Sequence, residues 1–123
     1  MKTYVPDTSV IIEKIVSKLI KDNKIKGTVI IPNAVVAEIE AQANKRRETG
    51  FLGLEELKLL QELNKQGKID LQFMGKRPTV DQIKFAKSGE IDALIRQIAY
   101  DESAILITAD IVQAESARVY GLE

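Results

Sequence analysis

Carboxylates, hydroxyls, lysines or a metal held by oxygen have to carry whatever chemistry this 123-residue chain performs, because the sequence holds no histidine and no cysteine. The commonest general base, the serine-type triad, disulfides, thiolate metal sites and an ordinary zinc site are all removed together. Hydroxyls, lysines and carboxylates remain. Four carboxylates stand at positions where an α/β fold collects ligands: Asp7 after the first apolar stretch, Glu38 near the start of a helical segment, Asp92 in the first turn of a later helix, and Asp110 after a late apolar run. Hard oxygen donors from separate segments suit Mg²⁺ or Mn²⁺. Such an ion activates water and offsets the charge of a phosphodiester transition state, so no histidine is required, and a two-metal arrangement would set the ions roughly 3.5–4 Å apart.

Each acid also has a purely structural explanation. Asp7 and Asp110 precede helical segments, where Asp is a favoured N-cap, and Asp110 has Gln113 at the capping-box position. Asp92 stands four residues before Arg96, the spacing of an exposed helical ion pair. Glu38 and Glu40 flank an apolar face of Val35, Val36, Ile39 and Ala43, and periodicity does not choose between them. Glu90 rivals Asp92, since the helix dipole favours any first-turn acid.

The elements that must position these acids alternate between strand and helix. Lys2–Pro6 reads as a first strand, Thr28–Ile31 as a second stopped by Pro32, Ile69–Met74 as a third and Ala104–Ile107 as a fourth. Between them, Val10–Ile20 is one amphipathic helix with Lys14, Lys18 and Lys21 outward. Asn33 is expected to cap a helix running to about Glu48 before Thr49-Gly50, and Leu54–Leu63 forms another that ends near Gly67. Thr79-Val80-Asp81-Gln82 has capping-box form and opens a short helix to about Lys87, broken by Ser88-Gly89. Ile91, Leu94, Ile95 and Ile98 recur at helical spacing, and a last helix includes Val112, Ala117 and Val119. This rhythm predicts a three-layer α/β sandwich with a central parallel sheet of four to five strands flanked by helices. In a parallel sheet all four acids can meet at its C-terminal edge, where such folds bind ligands.

The chain is of single-domain size, residues 1–123, with no internal repeat or linker. After Gly121 only Leu122-Glu123 follow where the rhythm would supply a further strand, which suggests excision from a longer protein. Eighteen Lys+Arg balance eighteen Asp+Glu, so a nucleic-acid partner has to rely on local patches such as Lys45-Arg46-Arg47 and Lys76-Arg77. No apolar run reaches membrane-spanning length and no signal-peptide core precedes a cleavage site, which points to the cytoplasm. Gly50-Phe51-Leu52-Gly53 is expected to lie under the helix that follows it. Neither GxxxxGK[ST] nor GxGxxG occurs. A phosphoacceptor receiver domain is disfavoured, since Thr8 and Ser9 follow Asp7 where an acidic pair belongs, and no lysine follows Ile107.

The ordered set Val5–Ile11 (VPDTSVI), Ile31–Glu40 (IPNAVVAEIE), Gly89–Ile95 (GEIDALI) and Ile105–Asp110 (ILITAD) resembles the PIN-domain family of metal-dependent nucleases across the whole chain. The resemblance implies cleavage of RNA or single-stranded DNA with Mg²⁺ or Mn²⁺. It assigns the acids to Asp7, Glu38, Asp92 and Asp110, takes Glu38 over Glu40 and Asp92 over Glu90, and gives Ser9 and Thr108 supporting roles. Ala109 stands where many members carry Asn, and no further acid follows closely after Asp110. The segment from Gly89 onward is most similar to the N-terminal PIN domain of archaeal proteins that continue into a P-loop ATPase and a KH-type RNA-binding domain. That narrower resemblance implies a homo-oligomer, a hexameric ring ATPase, for the full-length protein. It also implies an alternative to catalysis: a PIN module kept for assembly or nucleic-acid docking.

Overall fold

The second strand, Gly27–Pro32, is the most apolar part of the chain, and a strand of that composition is stable only when covered on both faces. The computed structural model, which describes residues 2–85, 90–109, 118–119 and 121, places it inside the sheet, with Val29, Ile30 and Ile31 no more than 1% exposed. Four strands, β1 (Lys2–Pro6), β2 (Gly27–Pro32), β3 (Asp70–Met74) and β4 (Ile105–Ile107), form one parallel sheet in the order β3-β2-β1-β4. Tyr4 pairs with Val29 on one side and Ile105 on the other, and Pro32 pairs with Met74. Helices α1 (Thr8–Ile12) and α2 (Ile15–Lys21) link β1 to β2; α3 (Asn33–Asn44) and α4 (Glu48–Lys65) link β2 to β3; α5 (Val80–Phe85) and α6 (Glu90–Asp101) link β3 to β4. The result is the expected α/β sandwich around a core that includes Val5, Ile11, Ile31, Ile39, Leu60 and Ile95. No described helix is long and apolar enough to cross a membrane.

Several boundaries depart from the sequence reading, each for a local reason. The expected single helix Val10–Ile20 is two, broken at Lys14, which adopts a left-handed φ of 60°. The break leaves the first N–H groups of α2 without helical partners. Glu56 on α4 supplies one: its Oε2 accepts from the Ser17 N–H at 2.9 Å, while neighbouring Glu55 pairs with the Lys14 ammonium at 2.6 Å. Glu56 is fully buried, and its Oε1 has no hydrogen-bond partner among the described residues. Periodicity could not reveal this cap, because the acid lies 39 residues from the helix it serves. Glu56→Ala is expected to lower stability by about 2 kcal/mol, through the lost cap and the space left behind. Glu56→Gln, which keeps an acceptor, should change it by less than about 1 kcal/mol. Chemical unfolding of the two variants separates these outcomes.

The second departure concerns the glycines. The helix expected to run to about Glu48 ends at Asn44, the turn falls at Lys45–Arg47 with Arg46 at φ 60°, and α4 starts at Glu48 rather than Leu54. Gly50 and Gly53 are therefore helix-interior positions. They face α3, where a Cβ on Gly50 would lie 2.1 Å from the Ala43 nitrogen and one on Gly53 would lie 2.8 Å from the Ile39 side chain. Phe51 between them is 44% exposed, not covered as expected. At the other end of α3, Pro32 is the N-cap, and Asn33 uses its side chain to donate to the Gly75 carbonyl at 2.7 Å. The capping box ahead of α5 is formed as read: the Thr79 N–H donates to the Gln82 side chain at 2.8 Å and the Gln82 N–H to the Thr79 hydroxyl at 3.1 Å. In α6 the buried stripe is Ile91, Ile95 and Ala99, with Leu94 41% exposed. The helix expected to contain Val112 and Ala117 lies outside the described residues.

Candidate metal centre

Strand order fixes where a ligand can enter. The chain steps from β1 outward to β2 and β3, then crosses back to add β4 on the other side of β1. The C-terminal edge between β1 and β4 is thus the topological switch point, where adjacent connections diverge and leave a crevice. Asp7 leaves β1 at that point, and its N–H donates to the Ile107 carbonyl at 3.0 Å. Its carboxylate is 2% exposed and held from both sides. Oδ1 accepts from the Ser9 hydroxyl at 2.6 Å and the Val10 N–H at 3.3 Å, and Oδ2 accepts from the Thr108 hydroxyl. The Ser9 oxygen in turn accepts from the Ala109 N–H at 3.2 Å. Asp7 is therefore the N-cap of α1 and also a carboxylate fixed across the β1–β4 crevice. The two readings of this residue are compatible, because a cap uses only part of the accepting capacity of a carboxylate.

Glu38 reaches the same neighbourhood from α3. It is half-buried, and burial raises its carboxyl above the ordinary value of 4.5. The charges of Asp92 and Asp7 push the same way, while the Thr8 hydroxyl opposes them. Thr8 was not singled out from the sequence. Its oxygen is buried and completes no hydrogen bond of ordinary geometry among the described residues, although it lies close enough to favour the Glu38 anion. A strand-end acid followed by two hydroxyl residues was the available signal, and only the second of the pair was read.

The rival acids separate cleanly. Residues two apart on a helix point about 200° apart, and Glu40 is turned from Glu38 to pair with Arg77 at 2.8 Å. Asp92 is half-buried in the first turn of α6 and acts on Glu38, whereas Glu90 is exposed. Asp7, Glu38 and Asp92 are thus brought into one electrostatic neighbourhood, with Ser9 and Thr108 on Asp7. Asp110 lies outside the described residues. Among the described residues no three acids are gathered tightly enough to hold one ion together. The donor set nevertheless suits a hard divalent cation: carboxylates only, partly desolvated, with the charges of Asp92 and Asp7 acting on Glu38.

This electrostatic crowding has a measurable consequence. Unfolded, Glu38 titrates near 4.5, and folded it titrates higher. Between the two values the folded state holds a proton that the unfolded state has released, so metal-free stability falls as pH rises through that interval. Glu38→Gln should remove this slope and leave the metal-free protein more stable than the parent above it. Unfolding midpoints measured across the acid range in a chelator test this; an unchanged slope would remove Glu38 from the cluster.

Comparison with known proteins agrees with this architecture. The family model described as PIN domain matches residues 4–119. The chain is 46% identical over 118 residues to an uncharacterized KH and PIN-domain containing protein of Methanocaldococcus jannaschii, a match covering 95% of this chain and 18% of that protein. It thus spans less than a fifth of that relative's length. A solved structure, a domain of a functionally unknown protein from Methanocaldococcus jannaschii, superposes with a TM-score of 0.95 at 44% identity, covering all of this chain and 89% of the other. PIN domains are in general a nuclease fold, and they typically use divalent metals. By the extent of the family match and by a fold that superposes over its full length, this chain belongs to the PIN-domain family.

Proposed function

We propose that the chain is a divalent-metal-dependent nuclease domain that hydrolyses phosphodiester bonds in RNA or single-stranded DNA. The observation that carries this reading is that Glu38, whose carboxyl is raised by burial, is also acted on by the charges of Asp92 and Asp7 from two other segments. Without a cation such a cluster works against the fold; its retention is accounted for if it has one to hold. Asp7, Asp92 and Asp110 would be the protein's ligands to Mg²⁺ or Mn²⁺, with Glu38 completing the pocket directly or through water. A divalent cation bound there supplies charge compensation for a phosphodiester and activation of water. Ser9 and Thr108 fix the Asp7 carboxylate by donating to its two oxygens, the outer-shell role that keeps a ligand in one orientation. Thr8 favours the anionic form of Glu38. The full-length protein is proposed to act in the cytoplasm as a homo-oligomer on nucleic acid, in keeping with the KH domain named in its relative.

The first test is thermal unfolding under Mn²⁺ titration, with Asp7→Asn/Asp110→Asn as control. A ligand that binds only the folded state stabilises it by RT ln(1 + [L]/Kd), about 2.7 kcal/mol at a hundredfold excess over Kd. Stabilisation of the parent and not of the control supports the site; equal responses would sink it. A second reading is a docking or assembly module of a longer ATPase. It draws on the zero net charge and on the lack of a tight three-acid group among the described residues. Divalent-dependent cleavage that survives both substitutions would count against the site, whereas a parent with no divalent-dependent cleavage would favour that module.

A further inference from the structure

A second concave feature lies on the opposite side of α3 from its contact with α4. A groove of about 260 Å³ runs between α3 and the segment leading into α5. Its apolar lining comes from Ala37, Ala41, Pro78 and Ile83, and its polar lining from Lys45, Arg77, Asn44 and Glu40, the carboxylate that pairs with Arg77. That volume is just below the range of about 300–1,000 Å³ usual for ligand sites. One residue from each of two basic clusters, Lys45 and Arg77, 32 positions apart in sequence, thereby lines one groove on a protein of zero net charge. The Lys45 ammonium has no ion pair or hydrogen bond among the described residues. Among the described residues Arg77 is engaged only by Glu40, in a bridge whose side chains are 54% and 43% exposed. Exposed bridges of this kind contribute at most about 1 kcal/mol, so a phosphate can take the guanidinium from Glu40.

The groove and Glu38 share α3. Glu38 and Lys45 are seven residues apart, about 10 Å along the axis and about 20° in direction, with Ala41 between them in sequence. We propose that this groove is a subsite for a single-stranded nucleic acid, taking one base against Ala41, Pro78 and Ile83 and the adjoining phosphates on Lys45 and Arg77. The occupant is a nucleic acid rather than an acidic peptide because the strand must continue along α3 to the carboxylates. The assignment to that strand rests on the nuclease reading above. Base contact on an apolar floor tolerates any sequence, since every base has a flat face. It also resolves how a chain of zero net charge binds a polyanion, through local cations.

Binding of fluorescein-labelled oligouridylate and oligothymidylate to the whole chain, followed by anisotropy in a chelator, tests the groove without cleavage. Lys45→Gln/Arg77→Gln is expected to weaken binding about tenfold and to reduce the log–log salt slope by about 1.4, at roughly 0.7 per phosphate contact on a single strand. Ala41→Leu fills the partly exposed floor with a good helix former; it should weaken binding several-fold with the salt slope unchanged. Both variants should keep the parent's Mn²⁺ stabilisation. Parental affinity in both variants would overturn the subsite whatever the cleavage assay shows. Groove-dependent binding by a parent that no divalent cation stabilises would uphold the subsite and remove the nuclease reading. A concentration-dependent dimer that is lost in Ala41→Leu, with strand binding unchanged, would assign the groove to a second copy and overturn the proposal.

Discussion

Asp7→Asn is expected to lower divalent-dependent cleavage of single-stranded substrate by about 10²–10³-fold while leaving the metal-free protein at least as stable as the parent. The two halves have different physical origins. Asn is close in shape to Asp and retains one carbonyl oxygen, so the α1 cap from the Val10 N–H persists. The Ser9 and Thr108 hydroxyls that now donate to the carboxylate can rotate, and one can accept from the new amide. Removing one negative charge relieves Glu38 of one of the two charges that act on it. The fold therefore loses little and gains some relief. The proposed cation site loses a formal ligand charge held in a nearly dry position, and losses of about 3–4 kcal/mol in transition-state stabilisation are typical when such a preorganised group is removed. Cleavage rates and melting temperatures measured with and without Mn²⁺ decide the matter. The expected pattern is a crossing: the variant equal or higher in chelator, the parent higher in Mn²⁺. A variant destabilised in both conditions would make Asp7 a structural cap and nothing more. This separation of activity from stability is what a site maintained at a cost to the fold should display.

How much of this was legible beforehand depends on how far apart the interacting residues lie. Strand identity followed from local composition, and β1 to β4 fall within a residue or two of the expected segments, β2 most plainly because a buried parallel strand has a continuous apolar run. The Thr79–Gln82 box was readable for the same reason, both partners being three residues apart. Strand order was not readable, since nothing local places β4 beside β1, yet that order creates the crevice at Asp7. The choice of Glu38 over Glu40 also escaped periodicity. Both flank the same apolar face, and what distinguishes them is Arg77, 37 residues away, which takes Glu40. The break at Lys14 depends on Glu55 and Glu56 across a similar separation. Family resemblance supplied the choice of acids where local physics could not.

The glycines of α4 show the same limit most sharply, and they carry the largest expected effect on stability. Glycine in a helix interior costs up to about 1 kcal/mol relative to alanine, so Gly50→Ala would ordinarily be a stabilising change. Here the sign should reverse. The new Cβ would meet the Ala43 nitrogen at 2.1 Å and the Gln42 carbonyl carbon at 2.6 Å. Both are backbone atoms in the last turns of α3, so no side chain can rotate away and one helix must move. Overpacking of a rigid contact costs about 1–3 kcal/mol and occasionally more; with backbone on the opposing side, about 3 kcal/mol or more is expected. At Gly53 the neighbour is the fully buried Ile39 side chain, with its Cγ2 at 2.8 Å. That side chain can yield slightly, so Gly53→Ala should cost about half as much. Urea unfolding with an unchanged m-value would report these as losses of native packing rather than changes in the unfolded chain. The consequence extends to the site, because Glu38 immediately precedes Ile39 on α3. A helix displaced by Gly50→Ala carries Glu38 away from Asp7 and Asp92, and the dependence of stability on Mn²⁺ should shrink along with stability itself. Gly50→Ala as stable as the parent would mean that α3 and α4 do not approach as closely as described, and the placement of Glu38 would have to be reconsidered with them.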